Sequence, residues 1–365
     1  MFKINSTSAR QVRRGRLRTP HGYLETPFYM PDATRAYVKL TGNESVRKTG
    51  TQAMVVNTLH LYLQPGLEVI KKAGGVHKFM NWPGALLSDS GGFQVFSLIH
   101  KNSYLGRITD DKVIFKSPLD GSKHELTPEK SIQIQFELGT DMMVCLDDCP
   151  PNDYSREKLE VAVNRTIAWA KRCRLEYDKQ VKKRRLTGAK RPLLFAVIQG
   201  GAEIDLRERC AKELVEIGFD GYGFGARPVD KDGNFLEEAL RRTAEFIPES
   251  ALRFALGIGT PEDILRCARL GWDMFDCVIP TREGRHGKLF LEQVNLSYRT
   301  INIKNAKFSK NFKPINQKSN LTEIKNHSLA YLHHLFRLGE PLGQQLASLN
   351  NLEFYQNWLK KVALK

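Results

Sequence analysis

The chain has 365 residues, 41% of them apolar and 26% charged, which suits one large globular domain or a barrel with an appendage. No apolar run reaches the roughly 20 residues that a bilayer-spanning helix needs. The formal net charge is +16, a balance that favours a polyanionic partner, since phosphate contacts come mainly from Lys and Arg.

The opening residues, Met1-Phe2-Lys3-Ile4-Asn5-Ser6, lack the charged-then-apolar pattern of a signal peptide. The six cysteines (Cys145, Cys149, Cys173, Cys210, Cys267, Cys277) show no paired spacing, which predicts a reducing, cytoplasmic setting. Eight short apolar runs then recur, each followed by a helical pattern. They are Phe28-Tyr29-Met30, Ala53-Met54-Val55-Val56, Ala85-Leu86-Leu87 and Met142-Met143-Val144-Cys145-Leu146, then Leu194-Phe195-Ala196-Val197-Ile198, Gly221-Tyr222-Gly223-Phe224, Phe254-Ala255-Leu256 and Met274-Phe275. Continuous apolar strands alternating with helices imply a parallel sheet covered on both faces. Eight such units predict an α/β fold, a (β/α)8 TIM barrel, with an open doubly wound sheet as the alternative.

Helix starts agree with the count. Thr127-Pro128 and Thr260-Pro261 each offer an N-cap hydroxyl followed by Pro at the first helical position. Between the third and fourth strands, residues 112–115 and 123–126 flank Asp120-Gly121 and predict an inserted β-hairpin. Lys182-Lys183-Arg184-Arg185 reads as a solvated loop before the fifth strand. Residues 301–365 carry ten Lys or Arg against three acids, so that surface is a candidate for binding. The domain reading is a catalytic barrel over residues 1–295 and a C-terminal α-rich subdomain over 296–365.

The residues after each strand carry the chemistry. Asn57-Thr58 follows the second strand, Asp89-Ser90-Gly91-Gly92 the third, and Asp147-Asp148 the fourth. Gln199-Gly200-Gly201 follows the fifth, Gly225 the sixth, Gly257-Ile258-Gly259 the seventh, and Asp276 the eighth. In a parallel barrel these ends share one rim, where active sites form. Three converging carboxylates repel one another, so a structural role alone is a strained account. No His/Cys/Asp group has metal-ligand spacing, and His60 and the adjacent His333-His334 read as structural. Cys149 and Cys277 read as buried fillers rather than nucleophiles. Paired carboxylates without a metal suit glycosidic-bond chemistry, where one attacks the sugar and the other handles protons. A third suits guanine recognition, because one Asp can accept from both N1–H and the 2-amino group.

Several stretches taken together are similar to the tRNA-guanine transglycosylases. They are Ser88-Asp89-Ser90-Gly91-Gly92-Phe93-Gln94, Asn57-Thr58-Leu59-His60-Leu61 with Pro65-Gly66, Val197-Ile198-Gln199-Gly200-Gly201, residues 275–282 (FDCVIPTR) and residues 325–335 (KNHSLAYLHHL). The matches run in order from about Gly22 to the C-terminus. The resemblance implies a (β/α)8 barrel that exchanges guanine for a 7-deazaguanine base at the wobble position of certain tRNAs. It implies Asp276 as nucleophile on C1′ and Asp89 as general acid/base. Ser90, Gly91, Gly92, Asp147, Gln199, Gly225 and Ala226 would form the base pocket, with Phe93 stacking on the flipped-out base. Gly257, Ile258, Gly259, Thr260, Pro261, Glu262 and Asp263, together with Thr281, Arg282, Glu283, Gly284 and Arg285, would contact the anticodon loop. A homodimer is the family's usual state.

Two departures stand out. The family's C-x-C-x2-C and distant His bind a structural zinc; here the aligned positions read Ser319, Leu321, Ile324 and Asn350. No zinc, and no other cofactor, is therefore expected, with Leu321 and Ile324 supplying apolar packing instead. The family's Gly-Gly-Leu-Ala/Ser-Val-Gly-Glu reads Gly225-Ala226-Arg227-Pro228-Val229-Asp230-Lys231. Two cations where a glutamate stands would repel an aminomethyl-bearing base, so a changed base preference is expected. A non-catalytic tRNA-binding member and a DNA-acting relative are the competing readings.

Overall fold

The structure is a computed structural model that describes residues 2–7, 12–151, 154–230 and 232–364. The first three strands, β1 (Phe2–Thr7), β2 (Arg13–Thr19) and β3 (Gly22–Thr26), form an antiparallel sheet outside the barrel. The apolar-run reading passes over this sheet because β2 is RRGRLRT. Its inward side is Arg13, Gly15, Leu17 and Thr19, and only one of these is an apolar side chain. The buried Arg13 is held by one nitrogen and by a charge partner. It donates to the Glu249 and Ala251 carbonyls at 2.7 and 2.9 Å and stands 3.4 Å from Asp273.

All eight expected strands are present. They are β4 (Phe28–Pro31), β5 (Ala53–Val56) and β6 (Ala85–Ser88); then, after the insertion β7 (Gly106–Ile108), β8 (Val113–Lys116) and β9 (Lys123–Leu126), they continue as β10 (Met142–Val144), β11 (Leu193–Ile198), β12 (Gly221–Phe224), β13 (Leu252–Ala255) and β14 (Met274–Cys277). From β5 onward each barrel strand pairs parallel with the next, and β14 pairs parallel with β4. The ring closes through a parallel bridge of Asp32 to Val55, where Ala33 N donates to Val55 O at 2.7 Å and Asn57 N to Thr34 O at 3.1 Å. An open sheet is thereby excluded.

Side chains alternate across the strands, and both sides are buried, which is why the runs are continuously apolar. Phe28, Val55, Leu87, Phe195 and Phe254 fill the interior, together with Leu17 and Leu24 of the outer sheet, which plugs the N-terminal end. Tyr29, Val56, Leu86, Met143 and Ile198 face the helix layer. The insertion is a three-stranded antiparallel sheet whose β8–β9 pair is the expected hairpin. Thr127 and Thr260 cap their helices through 3.1 Å bonds from Lys130 N and Asp263 N. The basic run at 182–185 departs from the loop reading. Lys182 and Lys183 are the last turn of a 28-residue helix, Arg156–Lys183, where cations favour the negative end of the helix dipole.

After the barrel, β15 (Lys288–Glu292) and β16 (Tyr298–Asn302) form a hairpin that spans residue 295. The final helix, Pro341–Leu364, packs back against the barrel and is buried along most of its length. Its Tyr355 hydroxyl donates to Gly259 O at 2.6 Å, and Asn351 Nδ2 to Pro280 O at 3.0 Å. Gln356 Nε2 reaches Tyr29 O at 3.2 Å. Gly284 lies so close to the backbone of Ala347 and Ser348 that a Cβ there would meet it at 2.7 Å. The C-terminal residues thus hold two strand-end segments of the rim in place. Among the described residues, no helix is long and apolar enough to cross a membrane.

Candidate active site

A cavity of about 680 Å³ opens at the C-terminal ends of the barrel strands. Asp89, Asp147 and Asp276 all line it, from β6, the segment after β10, and β14. The sequence places them far apart, and the barrel brings them to one opening.

Asp89 is the most heavily bonded. Its Oδ1 accepts from Thr58 N and Gly91 N, both at 3.1 Å, and its Oδ2 from Asn57 Nδ2 at 2.6 Å and Gln94 Nε2 at 3.2 Å. Burial nevertheless wins and, helped by the charge of Asp276, pushes the carboxyl up to about 7. Asp276 accepts one bond, from Gly257 N at 2.9 Å. Burial, with a contribution from Asp32, raises it to about 6. Asp147 accepts from Gln199 Nε2 at 2.7 Å and is also pushed up to about 7, by burial first and by Asp148. These are the shifts expected of carboxylates kept ready for proton transfer and for a donor-rich ligand.

The other sequence-derived residues divide by position. Ser90, Phe93, Gly225 and Ala226 line the cavity, and Phe93 is 55% exposed, with its ring free to receive a ligand face. Gly91 and Gly92 do not line it. They allow the turn to fold tightly: a Cβ on Gly91, which has φ +79°, would meet Leu59 at 3.1 Å, and one on Gly92 would meet Leu146 at 2.8 Å. Gln199 is fully buried and stands behind Asp147, against Gly225, so it contacts the carboxylate rather than the cavity. Gly257, Ile258, Gly259, Thr260, Asp263 and Arg282 line the cavity, whereas Thr281 and Arg285 line a smaller adjoining one. Pro261 and Gly284 are buried. Glu262 accepts from Tyr298, and Glu283 pairs with Arg282 and Lys288 at 3.6 Å each. Lys231 lies outside the described residues, and Arg227 lines the cavity.

Cys149 and Cys277 also line the cavity. Burial pushes the Cys149 thiol up to about 12 and the Cys277 thiol further still, so neither is a thiolate at neutral pH. Ala226 holds φ +72°, a left-handed conformation costly for a residue with a Cβ, and its N–H points at the Cys149 sulfur.

Three supporting residues escape a reading of strand ends. Arg207 is fully buried on the inner face of the helix Ile204–Ile217. It donates to the carbonyls of Gly201, Ile198 and Gly225 at 2.6, 3.2 and 3.1 Å and stacks over Phe224. An Arg at a core position of a helical pattern, beside Leu206 and Cys210, is the signal that could have found it. Asn57 holds Asp89. Asp32, just past β4, lines the cavity as a further carboxylate; a reading of strand ends from the second strand onward does not reach it.

A (β/α)8 enzyme with three such acids and no thiolate fits glycosyl transfer. The comparisons agree. The family model described as queuine tRNA-ribosyltransferase matches residues 8–363. A queuine tRNA-ribosyltransferase of Desulforamulus reducens is 42% identical over 352 residues, covering 96% of this chain and 90% of that protein. One from Thermoanaerobacter pseudethanolicus is 40% identical over 359 residues (98% and 91%), and one from Staphylococcus aureus strain bovine RF122 is 42% identical over 346 residues (94% and 86%). The chain belongs to the queuine tRNA-ribosyltransferase family and is an enzyme of the pentosyltransferase class.

The residues at the family's zinc positions do not fit the metal. Ser319, Leu321, Ile324 and Asn350 offer neither thiolate nor imidazole, and all four are buried with other partners. Leu321 and Ile324 belong to an apolar cluster with Leu289, Ile303, Phe308 and Leu332. The buried Glu353 carboxylate accepts from the Ser319 hydroxyl and, at 2.7 Å, from Asn320 N. Asn350 Nδ2 donates to Phe290 O at 3.1 Å.

One trio of possible metal ligands does exist among the described residues, and spacing could not reveal it. His21, His77 and Asp141 offer atoms within 4.8 Å of one another. The imidazole rings stack at 3.6 Å and 15°, so their lone pairs run side by side rather than converging on one ion. Asp141 is hydrogen-bonded to His21 Nδ1 at 2.8 Å, stands 3.0 Å from His77 Nε2, and also accepts from His21 N and Leu86 N at 3.0 and 2.8 Å. The trio is a brace between the outer sheet and the barrel. His333 is likewise structural, its Nδ1 lying 2.8 Å from Ile303 O.

Proposed function

We propose that this protein is a cytoplasmic tRNA-guanine transglycosylase. It replaces guanine at the wobble position, 34, of target tRNAs with a 7-deazaguanine base, through a covalent bond between Asp276 and the ribose. The observation that carries this reading is the convergence of Asp89, Asp147 and Asp276 on one opening, roomy enough for a base and its sugar.

The steps follow from the three environments. Asp276, at about 6, is mostly anionic at neutral pH and attacks C1′ as the bond to guanine N9 breaks. Asp89, at about 7, is divided between acid and base forms. It gives its proton to the leaving guanine and takes one from the incoming base, which then attacks C1′ and frees Asp276. Proton transfer is fastest when the group's pKa lies near the working pH. Asp147 accepts from guanine N1–H and the 2-amino group, held in place by Gln199. Phe93 covers the base.

The reading includes two features specific to this chain. The C-terminal subdomain folds without zinc, on the apolar cluster and the Glu353 hydrogen bonds. The incoming base carries a neutral rather than an aminomethyl group at C7, because Arg227 lines the cavity beside Ala226 and Lys231 follows. The test is mass spectrometry of tRNA nucleosides after incubation with labelled guanine and candidate bases. Label entering position 34 is the expected result, with a trapped RNA adduct that disappears in Asp276→Asn. Label absent from tRNA that binds the protein would instead describe a non-catalytic member.

A further inference from the structure

Arg207 carries a charge that the proposed exchange chemistry does not use. It lies on the helix Ile204–Ile217 and is fully buried. Among the described residues, the titratable groups acting on it are the thiols of Cys210 and Cys149, and no carboxylate pairs with it. Burial pushes it down to about 9, so it stays a cation at neutral pH. Its three nitrogens go instead to carbonyls at the ends of two neighbouring strands: Ile198 and Gly201 at the end of β11, and Gly225 just past β12. Gly200 makes this approach possible, since a Cβ there would meet Arg207 at 2.8 Å.

The bond to Gly225, at 3.1 Å, fixes one peptide. The Gly225 carbonyl and the Ala226 N–H share a plane and point to opposite sides of it. With the carbonyl held back by Arg207, the N–H is turned toward the Cys149 sulfur, and both Ala226 and Cys149 line the cavity. Ala226 takes φ +72° to do so, a region where its Cβ crowds the following carbonyl. Turning the peptide over would move that angle by about half a turn, into the negative range open to every residue. Local backbone energy thus favours the turned peptide, and the Arg207 bond opposes it.

What this peptide presents decides which base fits. Gln199 donates to Asp147 and lies against Gly225, where a Cβ would meet its amide at 2.5 Å. The peptide and the carboxylate therefore flank one side chain. Asp147 matches the N1–H and 2-amino group of guanine, and the next atom along that edge is O6, an acceptor. The Ala226 N–H is its complement. Sulfur is a weak acceptor, so that N–H readily exchanges it for an oxygen. A turned peptide would present a carbonyl instead, which repels O6 and matches a 6-amino group.

We propose that Arg207 is a positioning residue for base selection: by holding the Gly225 carbonyl it keeps the N–H of the strained 225–226 peptide facing the cavity, and the site takes a 6-oxo rather than a 6-amino purine. The proposal rests on the base-exchange reading above and assigns its selectivity at the 6-position to a side chain behind the pocket wall.

The test is calorimetric titration of the full-length protein with free guanine and with 2,6-diaminopurine, which differs from guanine at C6 and N1. Wild-type protein prefers guanine. Arg207→Met narrows the ratio of the two Kd values by about tenfold, the scale of one hydrogen bond left unmade in a buried site. Arg207→Lys, which keeps a donor, lies between. Arg207→Met/Ala226→Gly regains most of the lost preference, because glycine holds positive φ without strain and the drive to turn the peptide disappears. A role in stability alone moves both Kd values together and is not rescued by a glycine. Circular dichroism melts check that each variant folds; the same comparisons are made on Arg207→Lys if the methionine variant does not. An unchanged ratio in a folded Arg207 variant, or no recovery on adding Ala226→Gly, would overturn the proposal while leaving base exchange standing. Wild-type protein that binds neither base would remove both.

Discussion

The side-chain amide of Asn57 donates a 2.6 Å hydrogen bond to Asp89 Oδ2 from the end of the neighbouring strand. The same residue accepts from His60 N at 2.9 Å and so caps the next helix. A bond to the charged form favours that form, so this contact opposes the burial that raises Asp89. Asn57→Ala therefore shifts Asp89 further above about 7. The base limb of the exchange rate then moves to higher pH, and the rate near pH 7 falls on the order of tenfold. A rate profile from pH 5 to 9 reads this directly; an unmoved profile in a folded variant counts against a proton-transfer role for Asp89.

Gln199 acts on Asp147 in the same sense, through its 2.7 Å bond. Gln199→Leu leaves Asp147 protonated over a wider range, because burial is then less opposed. The neutral acid has one acceptor site fewer for guanine. The expected outcome is a KM for guanine raised about tenfold at pH 7 and partly recovered at pH 9, with kcat changed much less. Equal losses in kcat and kcat/KM would place Gln199 in the chemical step instead.

Metal removal tests the proposed zinc-free subdomain. A chelator is expected to leave the melting temperature where it was, and metal analysis to find no stoichiometric zinc. Glu353→Ala strands the buried Ser319 hydroxyl and removes the acceptor of the part-buried Asn320 N–H, at a cost on the order of 2 kcal/mol in urea unfolding. One zinc per chain would contradict the account.

The brace at the barrel's closed end makes a pH prediction. The two histidines hold Asp141 down, at about 2 against burial, so its contribution is present above the unfolded value of about 4 and is lost as pH falls toward 2. His21 is raised, chiefly by its bond to Asp141; its contribution is present below the unfolded value of about 6.5 and is lost as pH rises through the higher folded value. Stability from the brace is thus greatest between about pH 4 and 6.5. Asp141→Asn flattens that dependence and costs on the order of 2 kcal/mol near pH 5. Unfolding curves at several pH values measure it.

Competition between aminomethyl- and cyano-substituted 7-deazaguanine tests the pocket. On the proposed base preference the wild type takes the neutral base, and Arg227→Glu is expected to swing the ratio toward the cation by about tenfold, the scale of one close charge. A clear wild-type preference for the aminomethyl base would refute the assignment.

By itself the sequence determined the eight strands, because both faces of a parallel sheet are buried and each strand shows as an unbroken apolar run. It also determined which acids end the strands, and with them the rim chemistry. Capping hydroxyls at Thr127 and Thr260 were equally local, set by residues three positions apart. Only the tertiary structure decided what lies behind those acids. Asn57 on Asp89, Gln199 on Asp147, Arg207 under Gly225 and His21 against Asp141 are pairings across 18 to 120 residues. Barrel closure creates them, and no periodicity records which polar side chains will then share a buried space. The outer sheet was hidden for a related reason. Arg13 is buried only because Asp273 and two carbonyls from distant segments meet it there, so its strand carries no apolar signature.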